Sequence, residues 1–253
     1  MKLFLLLVFL PLMAQAASSI EAQIGAYSNF IWRGITFSEN KPALQANIDA
    51  EGPYAFYLAT FISNAEFTDD FLEEEVTQEI DLIVGKRWFI DELELQLYYS
   101  RFTFPNASVI DSDEYNFQAK YNEYYLELSF MDDYFGYKDS YKYARIGYEY
   151  FIRKDLDLTL LVGYSDFAIN KGSIKQNCQD VSCTTNFSTT SGSGSTDYFD
   201  FYLVGRKSFS KVRAELGFNF TNRQEYTVEN GEVLKERAED FSAVVAVIMP
   251  FAI

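Results

Sequence analysis

Ionised side chains recur two positions apart along this chain, and that spacing limits the chemistry they can do. Glu79 and Asp81, or Arg213 and Glu215, would share one face of an extended strand. Such a face can bind, steer or screen charged solutes. Proton relay at neutral pH is harder, because the 253 residues include no histidine. Barrel-type hydrolases generally use histidine as the base for a serine nucleophile. A carboxylate pair could cleave glycosidic bonds without it, but no pair stands apart from the other acidic residues. No phosphate-binding glycine loop, metal-ligand cluster or cofactor motif is present. The chain therefore reads as a protein with no catalytic turnover and no cofactor.

The elements that must position these charges are strands. Leu93, Leu95, Leu97 and Tyr99 alternate with Glu94, Gln96, Tyr98 and Ser100, and Val212 to Phe220 repeats the rhythm. Each such strand sets one face in an apolar medium and the other in a polar one. Repeated over segments of about ten residues broken by turns, this is the pattern of a transmembrane β-barrel. The alternation predicts about 12 antiparallel strands in an up-and-down barrel, at 20–33, 42–51, 54–64, 76–88, 92–104, 113–121, 124–131, 141–152, 155–167, 197–208, 211–222 and 239–253. The mean hydropathy of −0.13 does not count against this, since only alternate residues meet lipid. The 24 phenylalanines and 19 tyrosines suit aromatic girdles and a filled interior.

Residues 1–16 read as a signal peptide: Lys2, an apolar run from Leu3 to Met13, then Ala14-Gln15-Ala16 as the cleavage site. The barrel then occupies 17–253. Tight links (Glu51-Gly52-Pro53, Phe89-Ile90-Asp91, Asn122-Glu123, Arg153-Lys154, Phe209-Ser210) alternate with longer ones at 34–41, 65–75, 105–112, 132–140, 168–196 and 223–238. Short periplasmic turns and long external loops are the outer-membrane pattern, and they place both termini in the periplasm. The longest loop, 168–196, carries the two cysteines, Cys178 and Cys183, which an exported chain would join as a disulfide. It either covers the outside or folds inward as a constriction. The formal charge of −16 disfavours nucleic acid and favours cations or small cationic solutes beside the outer-membrane lipid.

Parity assigns Phe30, Trp32, Leu44, Val84, Leu97, Leu203 and Val245 to the lipid face. It points Arg33, Asp49, Glu79, Asp81, Arg87, Glu94, Glu114, Glu127, Glu149, Asp157, Arg206 and Arg213 inward, with Tyr27, Tyr57, Tyr98, Tyr141, Tyr143 and Tyr198. Counting back from the tight turns sets Arg87 opposite Glu94, Arg206 opposite Arg213 and Glu149 opposite Asp157. Asp157 and Arg206 fall on neighbouring strands at the same end. Glu149, Asp157, Arg206 and Arg213 should thus cluster near the turns, either as a selectivity element or as the polar filling of a narrow barrel.

The run Ser28-Asn29-Phe30-Ile31-Trp32-Arg33-Gly34-Ile35, then Lys41-Pro42-Ala43-Leu44-Gln45, Ile48-Asp49, Ser63-Asn64, Glu79-Ile80-Asp81 and Gly85 resembles the Gcw_chp or TorF-family porins. These are bacterial outer-membrane proteins of uncharacterised function. The resemblance implies an outer-membrane barrel with pore activity and supplies no catalytic residues. Two departures stand out. Lys86 occupies a position that is commonly aromatic in the family, and the chain ends Pro250-Phe251-Ala252-Ile253, where Phe251 could serve in place of a terminal aromatic. Arg33, Asp49, Glu79 and Asp81 of the motif share one inner wall, and Arg33 is expected to meet Glu79 through the lumen. The resulting expectation is a narrow, cation-preferring outer-membrane channel for small solutes. The alternative is a closed structural barrel that works through its external loops.

Overall fold

A computed structural model describes residues 19–69, 74–136, 140–169, 194–195, 197–222, 224–229, 232–237 and 240–252. The signal segment, the body of the 168–196 loop and both cysteines lie outside these residues.

Twelve antiparallel strands form a closed barrel. They are β1 (Ser19–Tyr27), β2 (Ala43–Glu51), β3 (Phe56–Asp69), β4 (Glu74–Ile90), β5 (Leu93–Thr103), β6 (Ser112–Tyr121), β7 (Tyr124–Met131), β8 (Tyr141–Arg153), β9 (Leu156–Ile169), β10 (Tyr198–Ser208), β11 (Arg213–Thr221) and β12 (Asp240–Ala252). Each strand pairs with its sequence neighbours, and β12 closes the ring on β1 with Gly25 opposite Ile248. Closure leaves no free sheet edge, so strand amides along the ring find ladder partners without water, which a bilayer demands. Among the described residues, no helix is long and apolar enough to cross a membrane. The wall crosses with strands instead.

The alternation sorts the two faces as the sequence predicts. Along β7, Leu128 and Phe130 are exposed while Glu127, Ser129 and Met131 are buried. Leu44, Leu97 and Val245 are 63%, 51% and 53% exposed, and they look outward beside Ile48, Val84 and Leu203. An apolar band of this extent is stable only against hydrocarbon. At the turn end it meets a rim of Phe56, Phe89, Tyr121, Tyr124, Tyr150 and Phe209, where amphipathic rings suit the interface.

The short links differ from the sequence reading in length and position: Glu51 pairs with Tyr57 and Ser208 with Arg213, so two links are longer than expected, and one is tighter. Ile90 pairs directly with Leu93, so Asp91 and Glu92 form the whole link. Asp91 and Asn122 open their turns with φ of 51°, left-handed backbone that Asp and Asn tolerate better than most residues. Inside the wall, tyrosine rings lie over neighbouring glycines. A Cβ on Gly85 would sit 2.6 Å from the Tyr57 ring, so only glycine lets that ring lie flat on the strand.

The first strand corrects one expectation. β1 stops at Tyr27 and does not run to Arg33. Ser28 hooks onto β12, its amide donating to the Val245 carbonyl at 2.8 Å and its Oγ accepting from the Val245 amide at 2.9 Å. The chain then turns into the lumen.

Candidate functional site

Residues 28–42, between β1 and β2, make a small inward hairpin. Ile31 pairs with Thr36 and Trp32 with Ile35, and the Phe37 amide donates to the Phe30 carbonyl at 2.7 Å. Arg33 (φ 48°) and Gly34 (φ 83°) form its tip. Two successive positive φ values mark the tight turn that a two-residue hairpin needs. Gly34 is required twice, by its backbone and by space, because a Cβ there would lie 2.9 Å from Asp200 Cβ. Side chains at the hairpin base fix its entry. Ser38 Oγ accepts from the Phe30 amide at 2.9 Å, and Thr36 Oγ1 donates to Asn29 Oδ1 at 2.7 Å.

Phe30 and Trp32, which parity assigns to lipid, therefore face the lumen. Phe30 packs on Phe37 and Phe61, and Trp32 lies 5.4–6.0 Å from the rings of Phe37, Phe102, Phe135 and Tyr141. With Phe104, Ile110 and Met131 they form an apolar core inside the long-loop end of the barrel. The parity reading fails here because the strand it extends has already ended. A second apolar medium, inside the ring, imitates the first.

Below this core the hairpin tip meets a charged wall. Arg33 Nη1 donates to Glu114 Oε1 on β6 at 2.5 Å, and Nη2 donates to Glu127 Oε1 (3.1 Å) and Ser129 Oγ (2.7 Å) on β7. The guanidinium carbon sits 4.5 Å from the Trp32 ring, 4.2 Å from Tyr143 and 5.6 Å from Tyr141. Tyr198 of β10 donates to the Arg33 carbonyl at 2.9 Å, so the tip touches both sides of the lumen. Arg145 Nη2 (2.6 Å) and the Tyr125 hydroxyl (2.5 Å) complete Glu127 Oε2. Arg33, Glu114 and Glu127 are 8%, 3% and 3% exposed, so this is a desolvated network.

The partner expected for Arg33 was Glu79; the structure gives it Glu114 and Glu127. Glu79 and Asp81 sit buried side by side on β4, each with one carboxylate oxygen that no hydrogen bond reaches. The hairpin crosses past them to the far wall.

The remaining candidate residues lie inward toward the turn end, with corrected partners. Arg87 opposes Gln96 and not Glu94. It reaches Glu51 at 2.6 Å and Asp49 at 3.0 Å on β2, over the Tyr57 ring. Glu94 stands opposite Lys120, which reaches Glu149 at 2.7 Å. Arg206 opposes Glu215 and not Arg213, and Glu149 opposes Thr159 and not Asp157. Each error is a shift of two residues, which keeps the face and changes the partner. In each case the turn lies further along the chain than expected, at Asp91-Glu92, between Arg153 and Leu156 beside a bulge at Phe151/Arg153, and between Ser208 and Arg213. Asp157 and Arg206 do face each other, at 3.1 Å, and Glu215 bridges Arg206 (3.4 Å) and Arg213 (2.9 Å). Glu149, Asp157, Arg206 and Arg213 line one open recess of about 530 Å³ with Tyr27 and Glu215. At the rim, outside the wall, Lys207 hydrogen-bonds Asp155 in the β9 turn and holds its carboxyl below the usual range.

Glu114 and Glu127 were legible as inward residues, but nothing in their spacing marks them as the seat of Arg33. Ser129 could have been found from its parity with Glu127. Among the described residues, no three acidic, cysteine or histidine side chains are arranged to hold a metal ion.

The closed wall, its apolar band and the charged interior define an outer-membrane-type β-barrel with an inward-folded hairpin. The chain belongs to the Gcw_chp family, described as bacterial proteins of unknown function, whose model matches residues 13–185. No curated protein matches the sequence. Among solved structures, the NanC porin superposes with a TM-score of 0.50 at 9% identity, covering 91% of this chain and 98% of its own. The KdgM porin, solved in complex with disordered oligogalacturonate, gives a TM-score of 0.48 at 9% identity over 93% and 99% of the two chains. The COG4313 outer membrane channel from Pseudomonas putida F1 gives 0.44 at 10% identity over 93% and 96%. The NanC likeness bears on the fold alone.

Proposed function

We propose that this protein is an outer-membrane channel for the passive diffusion of small solutes, with a preference for cations and with both termini in the periplasm. The observation that carries the reading is the hairpin tip lying across an acidic mid-lumen. Glu114, Glu127 and Asp200 are buried around two guanidinium groups, Arg33 and Arg145, with Glu79 and Asp81 buried on β4. Toward the turns, the partly solvated lumen carboxylates Asp49, Glu51, Glu94, Glu149, Asp157 and Glu215 outnumber the cations Arg87, Lys120, Arg206 and Arg213, which favours cation passage. The open recess near the turns supplies a polar vestibule on the other side. Short links at the terminus end support the periplasmic assignment. The mechanism is diffusion through a charged constriction, without turnover.

Planar-bilayer recording of the folded protein tests this. Conductance steps with a reversal potential shifted toward cation selectivity in a KCl gradient are the expected result. Absence of steps in both the wild type and a variant with residues 31–36 replaced by a short polar link would defeat it.

A second reading is a closed barrel whose external loops do the work. It is favoured by the packing of Phe30, Phe37, Phe102, Phe104 and Phe135 inside the long-loop end. The same recording decides between the two.

A further inference from the structure

Arg33 is bound the way a ligand is bound. Its guanidinium donates to two carboxylates on different strands and to a serine hydroxyl, and lies against two close aromatic faces. Planar, forked donors matched by carboxylates and covered by π-faces are how a free guanidinium would be recognised. The two carboxylates, the serine and the Tyr143 face are built by the wall, on β6, β7 and β8, while the cation and the Trp32 face come from the hairpin. Glu114 and Glu127 are buried carboxylates, and burying such groups costs less with a cation beside them, whether or not the hairpin provides it. Arg145 stays on Glu127 Oε2 and leaves room for a single further positive group. Beside the seat, buried Asn116 accepts from Ser129 at 2.5 Å but leaves its Nδ2 without a partner. That orphan donor would suit an acceptor atom on an incoming solute. The tip itself is held in left-handed backbone at a non-glycine residue, a conformation that surrounding contacts must sustain.

We infer that the Glu114–Glu127–Ser129 seat is a binding site for guanidinium-bearing solutes and that Arg33 is its tethered occupant. A solute with a guanidinium competes with Arg33 for the seat. The displaced side chain releases the tip, and the solute takes the central position in the lumen. This rests on the channel reading and names its solute class.

Two measurements keep the inference separable from that reading. Trp32 and Trp88 are the two tryptophans, so Trp88→Phe leaves Trp32, which stacks on Arg33, as the single fluorophore. Titrating that variant with methylguanidinium chloride, against sodium chloride at equal ionic strength, should give a saturable change in emission. Glu127→Gln in the same background should bind on the order of tenfold more weakly, since one charged hydrogen-bond acceptor is lost. Emission that responds to both salts alike overturns the inference, whatever the protein conducts. In bilayers, Arg33→Ala should conduct without the tethered cation, and methylguanidinium should block it by refilling the seat. In the wild type the same block should need a higher methylguanidinium concentration, because the solute must first displace Arg33. Steps that methylguanidinium leaves unchanged in both proteins overturn the inference while sparing the channel. No steps in any protein, with saturable fluorescence binding, overturn the channel and keep the site. Should Arg33→Ala fail to fold, Arg33→Lys keeps the charge without the fork and should show weaker closure and stronger methylguanidinium block. An unchanged response in Arg33→Lys counts against the inference.

Discussion

Two arginine clusters occupy the same lumen and are held there by different means. Arg206 and Arg213 ride on wall strands, where register alone puts them next to Asp157 and Glu215, half open to a recess. Arg33 comes from outside the wall, on a turn that needs two positive φ values, and is buried against Glu114 and Glu127. A strand delivers charges by counting, and neighbouring charges can trade partners at little cost. A turn delivers one charge to one place, and the surrounding packing is built on its arrival.

The sharpest break in that comparison is Arg33→Met. Removing one partner from a buried ion network leaves its carboxylates uncompensated and costs about 3–5 kcal/mol. Urea unfolding in detergent, followed by the heat-dependent gel shift of folded barrels, should show the loss. Adding Glu114→Gln to Arg33→Met should recover part of it, while Glu127 keeps Arg145 as its partner. Next in size is Leu97→Arg on the lipid face of β5. A charge near the middle of the hydrocarbon costs about 2–4 kcal/mol, to be read from folding yield in bilayers. Gly34→Ala should follow, at about 1–3 kcal/mol for a strained φ and the close approach to Asp200. It should also shift the Trp32 emission. Smallest is Arg206→Met, a partly solvated pair worth about 1 kcal/mol or less. A loss at Arg206 as large as at Arg33 would erase the distinction drawn between strand and turn.

Most of the wall was legible because one rule, alternate faces, governs it. Strand β7 was read to the residue, and β6, β10 and β12 to within one residue at each end. Register was not legible to the same degree. Turns such as Asp91-Glu92 and the link between Ser208 and Arg213 lie further along the chain than their flanking sequence suggests, and a slip of two leaves parity untouched. The hairpin was missed for a physical reason. Phe30, Trp32 and Ile35 carry an apolar rhythm that serves equally for lipid outside or aromatic packing inside. The distinguishing signal was the Arg33-Gly34 pair, set among Asn29, Ser38 and Asn40, where turn-forming residues crowd a supposed strand end. The disulfide expected between Cys178 and Cys183, and the alternatives of an inward or outward 168–196 loop, lie outside the described residues.

The contacts that seat the tip are remote in sequence. Arg33 waits for partners 81, 94 and 96 residues downstream, and its carbonyl for one 165 residues away. Neighbouring residues cannot hold this tip in place by themselves. Its docking belongs to the closing stages of assembly, once β6, β7 and β10 stand and β12 has reached back to Ser28. The stopper and the last seam of the ring thus share a moment: a chain halted before its final strand would be both unsealed at the side and unplugged through the middle.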